Sequence, residues 1–280
     1  MREIHVAELT DAIAAMAIKA NISLGKDVCD RIHECKEQET WPVAKEILRE
    51  IEENTSVAER EWVPLCQDTG FTCVFLEVGQ DVHFVGGTVE EAIHEGVRQG
   101  YRQGYLRKSV VQDPIKRGNT KDNTPASIHY DIVPGDQVKI IIAPKGFGSE
   151  NMSRISMLPP SAGEEGVKEF VVDTVKRAGA NPCPPVIVGV GIGGTFDKVA
   201  LLAKQALLLP LDQENQDSYY AKMERKLLEE INGLGIGPQG FGGKTTALAV
   251  KIKTFPTHIA GLPVAVNINC YISRHQERIL

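Results

Sequence analysis

Six cysteines, Cys29, Cys35, Cys66, Cys73, Cys183 and Cys270, carry most of the reactive chemistry this sequence offers. None forms a C-x-x-C pair, so neither a zinc knuckle nor a dithiol redox motif is supported. Cys29 and Cys35 stand six apart in "KDVCDRIHECKEQ", which is not a same-face helical spacing. Cys73 sits inside the apolar run "FTCVFLEVG" and reads as packing. The other three differ. Cys66 precedes a strand in "PLCQDTG", Cys183 is wedged between prolines in "NPCPP", and Cys270 closes a strand in "NINCYISRH". Each falls at an element boundary, where rigid elements commonly carry functional loops. Three thiolates from such places can hold three irons of a cubane cluster and leave the fourth open as a Lewis acid. The alternative is that each is a small buried hydrophobe, and spacing alone does not choose.

A second constellation competes for the same stretch. Gly189, Gly191 and Gly194 form G-x-G-x-x-G behind the apolar run Val186-Ile187-Val188, and Asp212 lies where a ribose-binding acid would follow. A dinucleotide loop has no use for Cys183 between prolines, however, and Pro210 sits badly in its second strand.

The elements that must position these residues are legible in outline. Leu9, Ile13 and Met16 repeat at helical spacing up to a stop at Gly25, and a third helix starts at Pro42 with Val43, Ile47, Leu48 and Ile51 on one face. Thr88-Val89-Glu90-Glu91 is a capping box for a helix running to about Gln103. "ASIHYDIVPGDQVKIIIAP" predicts a hairpin turning at Pro134-Gly135-Asp136. A helix from Glu164 to Arg177 stops at Gly179, and another carries Met223, Leu227, Leu228 and Ile231 inward. A glycine-rich loop, "GIGPQGFGGKTT", then leads into two closing strands. Helices cluster first and strands mix in later without regular alternation. The expectation is an α+β fold, with a helical N-terminal part followed by mixed sheets flanked by helices, in one domain over 1–280.

Composition narrows the function classes. Hydrophobic residues make up 42% and charged residues 24%, ordinary for a globular protein, and the formal charge is −6 with scattered Lys and Arg. That argues against nucleic acid as the main partner. No apolar run suits a membrane span, and acids interrupt the N-terminal apolar positions of any signal peptide. The expected location is cytoplasmic, where cysteines stay reduced.

Four motifs in order, "CQDTG", "ANPCPPVIVGVGIGGT", "GLGIGPQGFGGKTTAL" and "HIAGLPVAVNINC…SRH", resemble the iron–sulfur-dependent hydro-lyases, the class I fumarate hydratases and L-tartrate dehydratases. The match is to their alpha subunit or N-terminal half, over nearly the whole chain. The resemblance implies that Cys66, Cys183 and Cys270 hold a [4Fe-4S] cluster whose open iron binds substrate. It implies that Arg107 pairs with a substrate carboxylate and that Gln67 and Asp68 line the pocket. Asp68 is then an acid/base or positioning group, the alternative being that it merely closes an Asx turn before Gly70. Gly148, in "KGFGSEN", is the expected backbone donor to substrate, although Phe147 replaces a glycine of the family's usual run. Tyr271 likewise stands where a histidine commonly follows the third cysteine. On this reading the glycines near 190 let backbone approach the cluster or start a helix tightly. "GGKTTAL" and "SRH" favour fumarate/malate over tartrate, and a non-catalytic iron–sulfur protein is the remaining alternative. One good arginine is few for a dicarboxylate, so a separate beta subunit is expected to complete the site, with alpha–alpha dimerisation as well.

Overall fold

The structure is a computed structural model describing all 280 residues. In chain order the elements are β1 (Arg2–His5), α1 (Val6–Ile22), α2 (Lys26–Gln38), α3 (Pro42–Glu61), β2 (Phe71–Gly79), β3 (Val82–Val85) and α4 (Val89–Gln103). They continue with β4 (Ser127–Val133), β5 (Val138–Lys145), the single turn α5 (Phe147–Glu150), β6 (Arg154–Leu158), α6 (Gly163–Ala178), β7 (Val186–Gly193) and α7 (Phe196–Ala206). The last are α8 (Ser218–Asn232), β8 (Ala247–Phe255), β9 (Leu262–Cys270) and β10 (Gln276–Ile279). The fold is mixed α and β, as expected, and the chain divides into two compact units.

The first unit, residues 1–24, 55–147 and 274–280, holds a four-stranded sheet in the order β10-β5-β2-β4 and a small β1-β3 pair. Leu9 and Ile13 of α1 and Ile93, Val97 and Tyr101 of α4 pack on Val74 and Leu76 of β2 and Ile140 and Ile142 of β5. Burying those side chains, at about 1.5–3 kcal/mol each, supplies the driving force for this layer. Local signals explain the helices. Thr88 accepts the Glu91 N–H at the start of α4, and His5 accepts the Ala7 N–H at the start of α1. The helix α1 ends at a Ser23 cap, and Gly25 instead starts α2.

The expected hairpin does not form. β4 and β5 both pair with β2, which lies between them, β4 parallel to it and β5 antiparallel. β2 is buried along nearly its whole length and so takes a central place, while the half-exposed β4 takes the edge. The turn after β4 crosses the end of β2, where the Gly79 N–H donates to Gln137 and the Gln80 N–H to Val133.

The second unit, residues 25–54 and 148–273, is built on a sheet in the order β6-β9-β7-β8. Val171 and Val175 of α6 and Leu227 and Ile231 of α8 cover one face against Val188, Val190, Val266 and Ile268. α7 covers the other face through Val199 and Ala203 on Ala265. Gly189 and Gly191 lie inside β7 on that second face. A Cβ on Gly189 would stand 2.2 Å from the Ala203 carbonyl oxygen, and one on Gly191 would stand 2.2 Å from that of Val199. The glycine pattern therefore serves close packing of α7 on the strand. β7 runs parallel to β8 but antiparallel to β9, which is not a doubly wound nucleotide fold. No helix is long and apolar enough to cross a membrane.

Candidate functional site

In the first unit the site residues gather on the turn between α3 and β2. Cys66 is half-buried and Gln67 is exposed beside it, with the Cys66 thiol 3.2 Å from the Gln67 carbonyl oxygen Oε1. The Asp68 N–H donates back to Cys66 Sγ at 3.4 Å. The Asp68 carboxylate is doubly engaged. Oδ1 accepts the Gly70 N–H at 3.0 Å, closing an Asx turn, and Oδ2 accepts the Phe147 N–H at 2.9 Å. Gly70 has φ +84, and a Cβ there would strike the Lys145 backbone at 2.7 Å, so only glycine fits.

Three residues absent from the sequence-level site build the support for this turn. The Tyr101 hydroxyl, wholly buried, lies 2.7 Å from the Thr69 carbonyl and 3.0 Å from that of Gly70, and accepts from Thr72 Oγ1. Burial pushes its pKa up from the ordinary 10.0 to about 12. Asn123, also fully buried, donates to the Gly70 carbonyl and accepts the Ser109 N–H. Arg274, 5% exposed, donates from Nη2 to the Asp68 carbonyl and from Nε to the Pro144 carbonyl. Tyrosine and asparagine here act on main-chain carbonyls, so residue type and spacing gave no sign of them. Arg274 did have a signal, because it belongs to the "SRH" motif.

Arg107 follows α4, as expected, and its side chain is exposed. Thr69 Oγ1 donates to its carbonyl at 3.0 Å, which ties the Arg107 segment to the Cys66 turn. The first unit thus brings together Cys66, Gln67, Asp68 and the Arg107 backbone.

In the second unit Cys183 and Cys270 share one end of the sheet. Cys270 is the last residue of β9, in register with Val186, three positions after Cys183. Cys183 is exposed and held at φ +55, an uncommon conformation for a residue with a side chain. Its loop is pinned from outside, because the Gln239 N–H and Nε2 both donate to the Pro184 carbonyl, at 2.7 and 2.8 Å. The glycine-rich loop after α8 therefore serves as a clamp on the cysteine loop. Gly148, in α5, is exposed, and the nearest atom to a Cβ there would be the Asn181 carbonyl oxygen, 3.8 Å away.

The donor chemistry suits an iron–sulfur cluster. Sulfur is the soft ligand that such clusters take, and N–H donation to the sulfur, seen here from Asp68 to Cys66, stabilises thiolate charge. Cys66, Cys183 and Cys270 are all at least partly accessible and none is in a disulfide. Cys35 and Cys73, by contrast, are buried, and desolvation pushes the Cys35 thiol pKa up, away from the reactive thiolate. In neither unit do three Cys, His, Asp or Glu side chains converge as a ready-made metal site.

Comparison with known proteins decides the family. The family model described as fumarate hydratase (Fumerase) matches residues 10–279. The chain belongs to the fumarate hydratase family. It is 42% identical, over 95% of both chains, to a Methanocaldococcus jannaschii protein provisionally named L(+)-tartrate dehydratase subunit alpha. It is 30% identical to the L(+)-tartrate dehydratase subunit alpha of Escherichia coli strain K12, over 96% of this chain and 89% of that one. The same identity and coverage hold for the protein of that name from Shigella sonnei. Membership of the fumarate hydratase family places the chain among hydro-lyases, with Cys66, Cys183 and Cys270 all inside the matched region.

Proposed function

We propose that this chain is the alpha subunit of an iron–sulfur hydro-lyase that reversibly hydrates fumarate to malate, working with a separate beta subunit. The observation that carries this is the Cys66–Asp68 turn. It presents a hydrogen-bonded thiol and an exposed amide side by side, on a segment tied to the arginine-bearing loop. Cys66, Cys183 and Cys270 would hold a [4Fe-4S] cluster, which when bound supplies a Lewis-acid iron for a hydroxyl and a carboxylate of the substrate.

The remaining roles belong to side chains and backbone. Arg107, exposed, offers planar donors to one substrate carboxylate. Gln67 offers an amide at the pocket edge, and Gly148 a backbone N–H. Asp68 has each carboxylate oxygen already accepting an N–H, a bonding that favours positioning over proton abstraction. The proton acceptor is then expected from the beta subunit, together with further cations for the second carboxylate. Residues 1–280 would serve as one alpha-type catalytic domain, which pairs with a second alpha chain in the cytoplasm.

The second reading, tartrate dehydration to oxaloacetate, is favoured by one specific observation: the Methanocaldococcus, Escherichia and Shigella relatives are named for tartrate. The deciding experiment is anaerobic reconstitution of the chain with the product of a neighbouring reading frame, assayed on malate and on L-tartrate. Turnover of malate supports the first reading and exclusive turnover of tartrate the second. A stable cluster with neither activity would mean a non-catalytic iron–sulfur protein, and full turnover by the chain alone would remove the beta subunit.

A further inference from the structure

Arg274 is a charged side chain 5% exposed whose bonds go to two main-chain carbonyls, Asp68 and Pro144, while its Nη1 is buried without a partner. A buried guanidinium with an unused N–H is costly unless an acceptor completes it, and its positive charge favours an anionic one. Its surroundings point to which anion. The Asp68 backbone is held at both ends, its carbonyl by Arg274 Nη2 and its N–H by Cys66 Sγ. Gly146 passes close by, since a Cβ there would lie 3.3 Å from Asp68 Oδ2 and 3.8 Å from Arg274 Nη2. Both Asp68 carboxylate oxygens already accept backbone N–H groups.

We infer that Arg274 is the positioning residue of the Cys66 turn, fixing the Asp68 carbonyl and keeping its spare Nη1–H for the anionic sulfur-ligated group that the turn serves. The inference rests on the reading of Cys66 as a cluster ligand. A planar guanidinium can hold a carbonyl with one nitrogen and donate to sulfur with the next, which an ammonium cannot do in the same geometry. Donation to sulfur and a fixed cation both stabilise a thiolate-held cluster.

The test uses the full chain reconstituted anaerobically with iron and sulfide, following iron release to a chelator by loss of visible absorbance. Arg274→Ala should release iron about tenfold faster than wild type or more, and Arg274→Lys at an intermediate rate. Millimolar guanidinium should slow release from Arg274→Ala toward the wild-type rate, which a generally loosened fold would not show. Arg278→Gln, exposed on β10, should release iron as wild type does. If Arg274→Ala does not fold, Arg274→Lys decides, since a wild-type rate there overturns the inference. Wild-type release from Arg274→Ala, or acceleration that guanidinium leaves unchanged, overturns it as well. A wild-type chain that takes up no iron would instead bring down the cluster reading, and this inference with it.

Discussion

Asp68 accepts the backbone N–H of Phe147 at 2.9 Å across a separation of 79 residues. With its other oxygen on the Gly70 N–H, this carboxylate fastens the segment after β5 to the turn that carries Cys66. The site in the first unit is therefore organised around an acceptor that must have two acceptor oxygens.

Asp68→Asn tests that requirement. An asparagine can accept at only one of the two positions, and its NH2 would face the other N–H. The half-buried turn should lose about 1–3 kcal/mol, read as a lower denaturation midpoint of the cluster-free chain. An unchanged midpoint would mean that the two bonds contribute nothing.

Arg107→Ala should behave in the opposite way. Its side chain is exposed, so the denaturation midpoint should stay at the wild-type value. Losing a charge-assisted carboxylate pair, about 1.5–3 kcal/mol, should lower kcat/KM for malate by about 10- to 150-fold. An equal kcat/KM would make Arg107 an ordinary surface charge.

Tyr101 predicts a pH dependence. Its folded pKa is raised to about 12, so its stabilising share is complete below its ordinary value of 10.0 and is lost as pH rises through the folded value. That rise corresponds to roughly 2–3 kcal/mol, with stability falling between about pH 10 and 12. Subtracting the profile of Tyr101→Phe isolates this part. A difference that stays flat across that window would contradict the buried hydroxyl.

Gly189→Ala addresses the second unit. Its methyl would meet the Ala203 carbonyl oxygen at 2.2 Å and Leu207 Cγ at 2.8 Å, so α7 must move off β7. A loss of about 1–3 kcal/mol or more in chemical denaturation is expected. A neutral substitution would return the glycines to a role in approaching the site.

What the sequence revealed and what it hid divide along the range of the interactions. α1 to α4 and the strand over Phe71–Gly79 were legible because periodicity and capping are local. β1 was missed, since its four residues pair only with distant β3. The expected hairpin failed because β2, some fifty residues earlier, inserts between its two strands, and nothing in "ASIHYDIVPGDQVKIIIAP" reports that. The G-x-G-x-x-G pattern was visible, but its cause, the backbone of α7, is a tertiary contact. Cys66, Cys183 and Cys270 stood out because element boundaries can be read locally. Tyr101 and Asn123 did not, since what they hold is the main chain.

The most direct test of the central claim is iron and sulfide per chain after anaerobic reconstitution of wild type and of single cysteine variants. Wild type should carry one [4Fe-4S] cluster, Cys66→Ser, Cys183→Ser and Cys270→Ser should each lose most of the iron, and Cys73→Ser should retain it. A full cluster in the Cys66, Cys183, Cys270 triple variant would contradict the account, whatever the activity of the assembled enzyme.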